Sequence, residues 1–177
     1  MSNLITYITL DEFQKLIKAE KKKEYKLAYI LGFGSGLRIS EVIGGKGKDE
    51  RVIPALTIEK VSLQTHQIRI EGAKGNKDRI TVTNPWLNET ALKMLPLKLS
   101  RRTVQDRIHK LGIKELNRHD VHFHTLRHGF GNYMVNDKNV PLPMVQAMMG
   151  HSRLDTTGIY TKANPKQATD RAFEAWN

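Results

Sequence analysis

The sequence predicts an α+β fold, mainly α-helical with a small antiparallel β-sheet. Three observations predict it. Apolar residues recur at helical spacing along most of the chain, two short stretches (Gln67 to Glu71 and Arg79 to Thr83) alternate polar and apolar, and glycine or proline punctuates the segments. At 177 residues the length suits one domain with a core of its own.

Thr9 is the expected cap of the first helix, and Glu12 three residues on completes a capping box. Leu10, Phe13, Leu16 and Ile17 supply its apolar stripe. Lys21, Lys22 and Lys23 read as an exposed turn, and Tyr25 to Phe33 as an apolar second helix stopped at Gly34-Ser-Gly36. Ser40 to Ile43 restarts a helical turn that ends at Gly44-Gly45, and Gly44 to Pro54 reads as a loop. Gln67-Ile-Arg-Ile-Glu and Arg79-Ile-Thr-Val-Thr read as the two strands of a β-hairpin whose basic tip spans Gly72 to Asp78. Leu56 to Val61 adds an edge strand. After Pro85 the pattern is helical again. Ser100 caps a helix ended by Gly112, and Thr125 caps another with Leu126, Phe130 and Tyr133 or Met134 on its buried side. Pro143 starts a short helix that Gly150 ends. Asp155 caps one more through Tyr160, and Pro165 opens the last.

Composition narrows the function classes. No cysteine is present, which excludes disulfide scaffolds, zinc–cysteine sites and thiol nucleophiles. There is no apolar run of membrane-spanning length and no signal-peptide pattern, so the expected location is cytoplasmic. Lys+Arg 29 against Asp+Glu 18 gives a net charge of +11, which favours a polyanionic partner such as nucleic acid.

Four pieces carry chemistry. In Gly36-Leu-Arg38-Ile-Ser-Glu41, Arg38 sits between a glycine break and a helix start, where guanidinium and free N–H groups suit a phosphate; Glu41 is placed to orient it. The hairpin tip holds Lys74, Lys77 and Arg79. His124 and Arg127, three residues apart on a helix, lie side by side as a second phosphate cradle. In the last piece, His151 follows Gly150 and precedes Tyr160 by nine residues. Taken singly, each also fits a bland role: a boundary salt bridge, a solvated turn, a packed tyrosine ring. His119, His122, His124 and His128 crowd ten residues and keep a metal site as a rival, although no paired carboxylate motif accompanies them. Metal is not expected.

In this order, Gly-Leu-Arg-Ile-Ser-Glu, a hairpin lysine, His-x-Leu-Arg-His, Gly-His and Leu-x-x-Thr-x-x-Tyr-Thr (Leu154 to Thr161), the text resembles the tyrosine recombinase (phage integrase) family, Xer-type and archaeal members in particular. The resemblance runs from Thr9 to about Thr161. It implies the recombinase catalytic-domain fold over residues 1–177, with the family's N-terminal core-binding domain absent. By position, it implies that Arg38 and Arg127 clamp the phosphate, His124 and His151 assist, Tyr160 is the nucleophile and Lys74 the general acid. Lys46, in the similar text Gly45-Lys-Gly-Lys, is the rival for the last role. Lys77, Arg79, Arg101, Arg102 and Arg107 are expected to contact DNA. The implied activity is site-specific cleavage and rejoining of double-stranded DNA through a 3′-phosphotyrosyl link. No cofactor is implied, and self-association on DNA is expected, as a synaptic tetramer in the family. The implied setting is a prokaryotic cell or its virus or plasmid. The alternative is a catalytically idle DNA-binding module of the same fold.

Overall fold

A computed structural model of the chain describes residues 6–46, 52–73 and 77–150. Its elements are α1 (Leu10–Ala19), α2 (Lys23–Gly34), α3 (Ile39–Ile43), β1 (Gly45–Lys46), β2 (Val52–Ile53), β3 (Val61–Ser62), β4 (Gln67–Ala73), β5 (Lys77–Val82), α4 (Glu89–Leu92), α5 (Arg101–Leu116), α6 (Phe123–Asn132) and α7 (Leu142–Met149). The fold is mainly helical with small antiparallel sheets, as expected, although the described residues hold two of them, β1–β2 and β3–β4–β5, where one was predicted. No described helix is long and apolar enough to cross a membrane.

The Thr9–Glu12 capping box forms as the sequence predicts, with Glu12 N–H donating to Thr9 Oγ1 and Thr9 N–H donating to Glu12 Oε2. α2 is the centre of the core. Every residue from Leu27 to Gly34 is buried, because α1, α3 and α6 all pack on it. Phe13 of α1 stacks on Phe33 of α2 at 4.2 Å between centroids, and Trp86 closes the cluster edge-on to Phe13. α2 ends where expected. Gly36 has φ +66° and lies against the Phe130 ring, so a Cβ there would meet both a strained backbone and an occupied space.

The hairpin forms, and its two strands turn different residue types inward. β4 turns Ile68 and Ile70 inward. Across the ladder Ile68 pairs with Thr81 and Ile70 with Arg79, so Thr81 and Arg79 share that inner face while Ile80 is 52% exposed. Alternation gives the period of a strand but not which phase is buried. Gly44 to Pro54 is also more than a loop, since β1 and β2 pair as a two-residue antiparallel ladder. The expected edge strand reduces to a 3₁₀ turn, Ile58–Lys60, followed by the short β3 on β4.

Three helix boundaries differ from expectation. Between Pro85 and Ser100 only α4, four residues long, is helical. α5 does not stop at Gly112 but runs to Leu116, capped by Asn117 in the left-handed region. Gly112 is there because Val121 packs directly against its Cα, leaving no room for a side chain. The cap of α6 is His122, whose Nδ1 accepts from Thr125 N–H; Thr125 is the third helical residue and closes the reciprocal bond. Leu126 and Phe130 are buried as predicted, whereas Tyr133 and Met134 are half-buried in a π-helical turn, Tyr133–Asp137. α7 ends at Gly150, in the left-handed conformation with φ +62°. The two helices expected beyond it lie outside the described residues.

Candidate functional site

Glu41 is the centre of the site. Its side chain is 1% exposed, so the carboxylate is stable there only if its oxygens are met by donors. Four meet them. Oε1 accepts from Arg38 Nη1 at 2.9 Å and Arg79 Nη1 at 2.7 Å; Oε2 accepts from Arg38 N–H and Arg79 Nη2, both at 2.7 Å. Burial alone would raise this carboxyl's pKa. The hydrogen bonds and charge of Arg79, then the charges of Arg38 and Arg127, overcome burial and hold it at about 2. Glu41 therefore does orient Arg38, as the spacing suggested, and it also joins α3 to β5.

The C-terminal turn of α7 closes the cluster. A helix C-terminus offers carbonyls with no intrahelical donor and a partial negative charge. Arg79 Nε donates to Met148 O at 2.8 Å, Arg127 Nη2 donates to Met149 O, and Arg38 Nη2 donates to Gly150 O at 3.1 Å. Three guanidiniums from three regions of the chain thus meet three consecutive carbonyls. Arg127 also donates to Gly36 O and is 1% exposed, whereas the Arg38 side chain keeps 24% of its surface.

His124 stands one helical turn before Arg127 and keeps part of its ring open to solvent. Its ring meets that of His128 edge-on, 4.4 Å between centroids. The surrounding protein first, then the Arg127, His122 and Arg38 charges, push its pKa down to about 4. At neutral pH His124 is an uncharged hydrogen-bond donor or acceptor beside two fixed cations. An anion bound there offsets the repulsion and raises that pKa. Sulfate affinity, followed by titration calorimetry, should therefore rise as pH falls from 7 to 5, with proton uptake, and the rise should shrink in His124→Gln. A pH-independent affinity would contradict this placement of His124. Without the anion the sign is opposite. The depressed histidine pKa contributes stability that is full above the ordinary value of 6.5 and lost as pH falls through about 4.

The remaining expected residues divide. Lys74, His151 and Tyr160 lie outside the described residues. Lys77 opens β5, paired with Ala73, so the strands reach the edge of the tip. Arg101 is exposed at the start of α5 and reaches Lys46 O at 3.4 Å, and Arg102 is open to solvent, its Nε 3.8 Å from Asp106 Oδ2. Two arginines expected at DNA are held elsewhere. Arg79 has a 7% exposed side chain and is bound to Glu41 and Met148. Arg107 chelates the fully buried Glu20 through two bonds of 2.6 Å and lies 5.0 Å from the Tyr25 ring centroid, tying α5 to the end of α1. Their partners are 38 and 87 residues away, beyond any local pattern. Among the described residues no three histidine or acidic side chains gather as metal ligands do.

The sequence pattern of the phage integrase family matches residues 96–167. The chain is 30% identical to tyrosine recombinase XerA of Pyrococcus horikoshii, over 95% of this chain and 60% of that protein. It is 36% identical to tyrosine recombinase XerC of Salmonella typhi, over 73% of this chain and 45% of the relative. The chain therefore spans about half the length of such relatives. In three dimensions it resembles the XerH site-specific recombinase bound to its difH substrate (TM-score 0.72, 24% identity, 98% of this chain and 55% of the other). It also resembles the crystal structure of XerA recombinase (TM-score 0.71, 24% identity, 99% and 66%).

Proposed function

The chain belongs to the tyrosine recombinase (phage integrase) family, and from that premise we propose that it cleaves and rejoins double-stranded DNA site-specifically through a 3′-phosphotyrosyl intermediate. The observation that carries this reading is the gathering of Arg38 and Arg127 on the last turn of α7, with His124 near both, and from that turn the chain continues directly to His151 and Tyr160.

A phosphodiester resists attack because its anionic oxygens repel a nucleophile. Two guanidiniums and neighbouring imidazoles offset the charge that grows on the non-bridging oxygens in the transition state. The Tyr160 phenol, ordinarily with a pKa near ~10, attacks phosphorus once deprotonated. The new O–P bond forms as the bond to the 5′-oxygen breaks, and Lys74 gives that oxygen its proton. Reversal by another 5′-hydroxyl rejoins the strand. One phosphoester replaces another, so no nucleotide hydrolysis and no metal is needed. Contact of the exposed Arg101 and Arg102 with the DNA backbone, and self-association on DNA, are part of the same proposal.

Lys74 is supported over Lys46 by the hairpin's anchorage. β5, two residues past Lys77, is fixed to Glu41 through Arg79, whereas Lys46 meets Arg101 through its carbonyl. The function is tested by incubating the chain with nicked duplex DNA in excess chelator and resolving the products on a denaturing gel. The expected result is an SDS-resistant protein–DNA adduct. Binding with no adduct identifies an idle module, and an adduct that appears only with added zinc or manganese identifies a metal enzyme.

A further inference from the structure

Arg79 is unusual for an arginine on a β-hairpin. It lies on the inner face of β5, opposite the buried Ile70. All three of its nitrogens donate inward: Nη1 and Nη2 take both oxygens of Glu41 in parallel at 2.7 Å, and Nε takes Met148 O at 2.8 Å. A parallel two-bond pair of this kind fixes orientation as well as distance. Gly150 records the same fit from the other side, since a Cβ on it would come within 2.8 Å of Arg79 Cδ. Arg79 thus fills the space under the residue that precedes His151.

We infer that Arg79 is a positioning residue: by gripping Glu41 and the α7 turn together, it sets the guanidinium of Arg38 in register with the hairpin that carries Lys74. The inference rests on the cleavage reading above. It follows from the shared carboxylate. Arg38 Nη1 and Arg79 Nη1 both donate to Glu41 Oε1, so a rotation of Glu41 moves Arg38. β5 supplies the rigid strand from which Arg79 works, and the same strand begins at the edge of the tip. Hairpin and arginine clamp therefore cannot shift independently while Arg79 holds. This differs from a direct phosphate contact, the role expected from the sequence. All three nitrogens of Arg79 are already committed to Glu41 and Met148, and its side chain is 7% exposed.

The test compares wild type, Arg79→Lys, Arg38→Lys and the double variant. Adduct formation is measured at saturating nicked duplex, duplex affinity across a salt series, and folding by thermal melting. Lysine keeps the charge but loses the fork. Arg79→Lys should slow adduct formation roughly tenfold to hundredfold, the effect of a displacement near ~1 Å at a reacting centre. Affinity and its salt slope should stay as in wild type. In the Arg38→Lys background the same change should add less than about twofold, because both act on one element. If Arg79→Lys does not fold, the paired Arg79→Met, Glu41→Gln replacement removes both buried charges at similar volume, and the same slow cleavage with intact affinity is expected. A salt slope reduced by about 0.9 with unchanged cleavage at saturation would make Arg79 a phosphate contact and overturn the inference. So would an equal loss in both backgrounds. A wild type that forms no adduct removes the cleavage reading and this inference with it; an active wild type indifferent to Arg79→Lys removes the inference alone.

Discussion

Glu41→Ala should destabilise the fold by about 3–5 kcal/mol, the usual range when one partner of a buried ion pair is removed. For a chain of this size that lowers the melting temperature by roughly 6–20 °C. The carboxylate is not needed to fill space. Its removal leaves Arg79 buried with no counter-charge, and it strips two of the bonds that fix Arg38 at the start of α3. Glu41→Gln, which keeps an acceptor but not the charge, should lose less. The pH dependence has a fixed sign. A carboxyl held at about 2, below its ordinary 4.5, contributes stability present in full above 4.5 and lost as pH falls through about 2. The acid side of a wild-type stability curve should therefore slope more steeply than that of Glu41→Ala. A change below about 1 kcal/mol in chemical denaturation, the size of an exposed pair, would contradict the burial of this network.

Lys74→Ala should slow cleavage of ordinary DNA by about 10²–10⁴-fold, the range for loss of a placed general acid. The 5′-oxygen is a poor leaving group without a proton. A sulfur in its place departs as a stable thiolate and needs none. Lys74→Ala should therefore cleave the sulfur-bridged substrate at nearly the wild-type rate, and Lys46→Ala should show little defect on either. The β1–β2 pairing gives the Lys46 segment a frame of its own, so the preference for Lys74 rests on the Arg79–Glu41 anchorage of its hairpin and not on the absence of a frame elsewhere. Equal slowness of Lys74→Ala on both substrates, or a sulfur-rescued defect in Lys46→Ala, would reverse the assignment.

What was legible in the sequence was local. The Thr9–Glu12 box, the stop at Gly36, the hairpin and the Gly150 end of α7 each depend on residues within a few positions, and each is present. So is the Arg38–Glu41 contact, at three residues' spacing. What was not legible depends on distant partners. Gly112 looks like a stop but answers to Val121 across the α5–α6 connection. Arg79 and Arg107 look like surface cations because nothing nearby in sequence announces Glu41 or Glu20. The phase of β5 follows from the same cause: Arg79 turns inward because a buried carboxylate waits there, and Ile80 is consequently left outside. The count of 29 lysines and arginines overstates the exposed cations, because such arginines neutralise buried acids; the net charge of +11 already includes that cancellation.

In the proposed reaction Tyr160 becomes covalently joined to DNA. The direct measurement is protease digestion of the adduct formed on an end-labelled nicked duplex, followed by mass spectrometry of the DNA-bearing peptide, with Tyr160→Phe run in parallel. The expected result is a 3′-phosphate ester on Tyr160, a free 5′-hydroxyl on the released strand, and no adduct from the phenylalanine variant. An adduct that survives Tyr160→Phe, or a link through a 5′-phosphate, would contradict it.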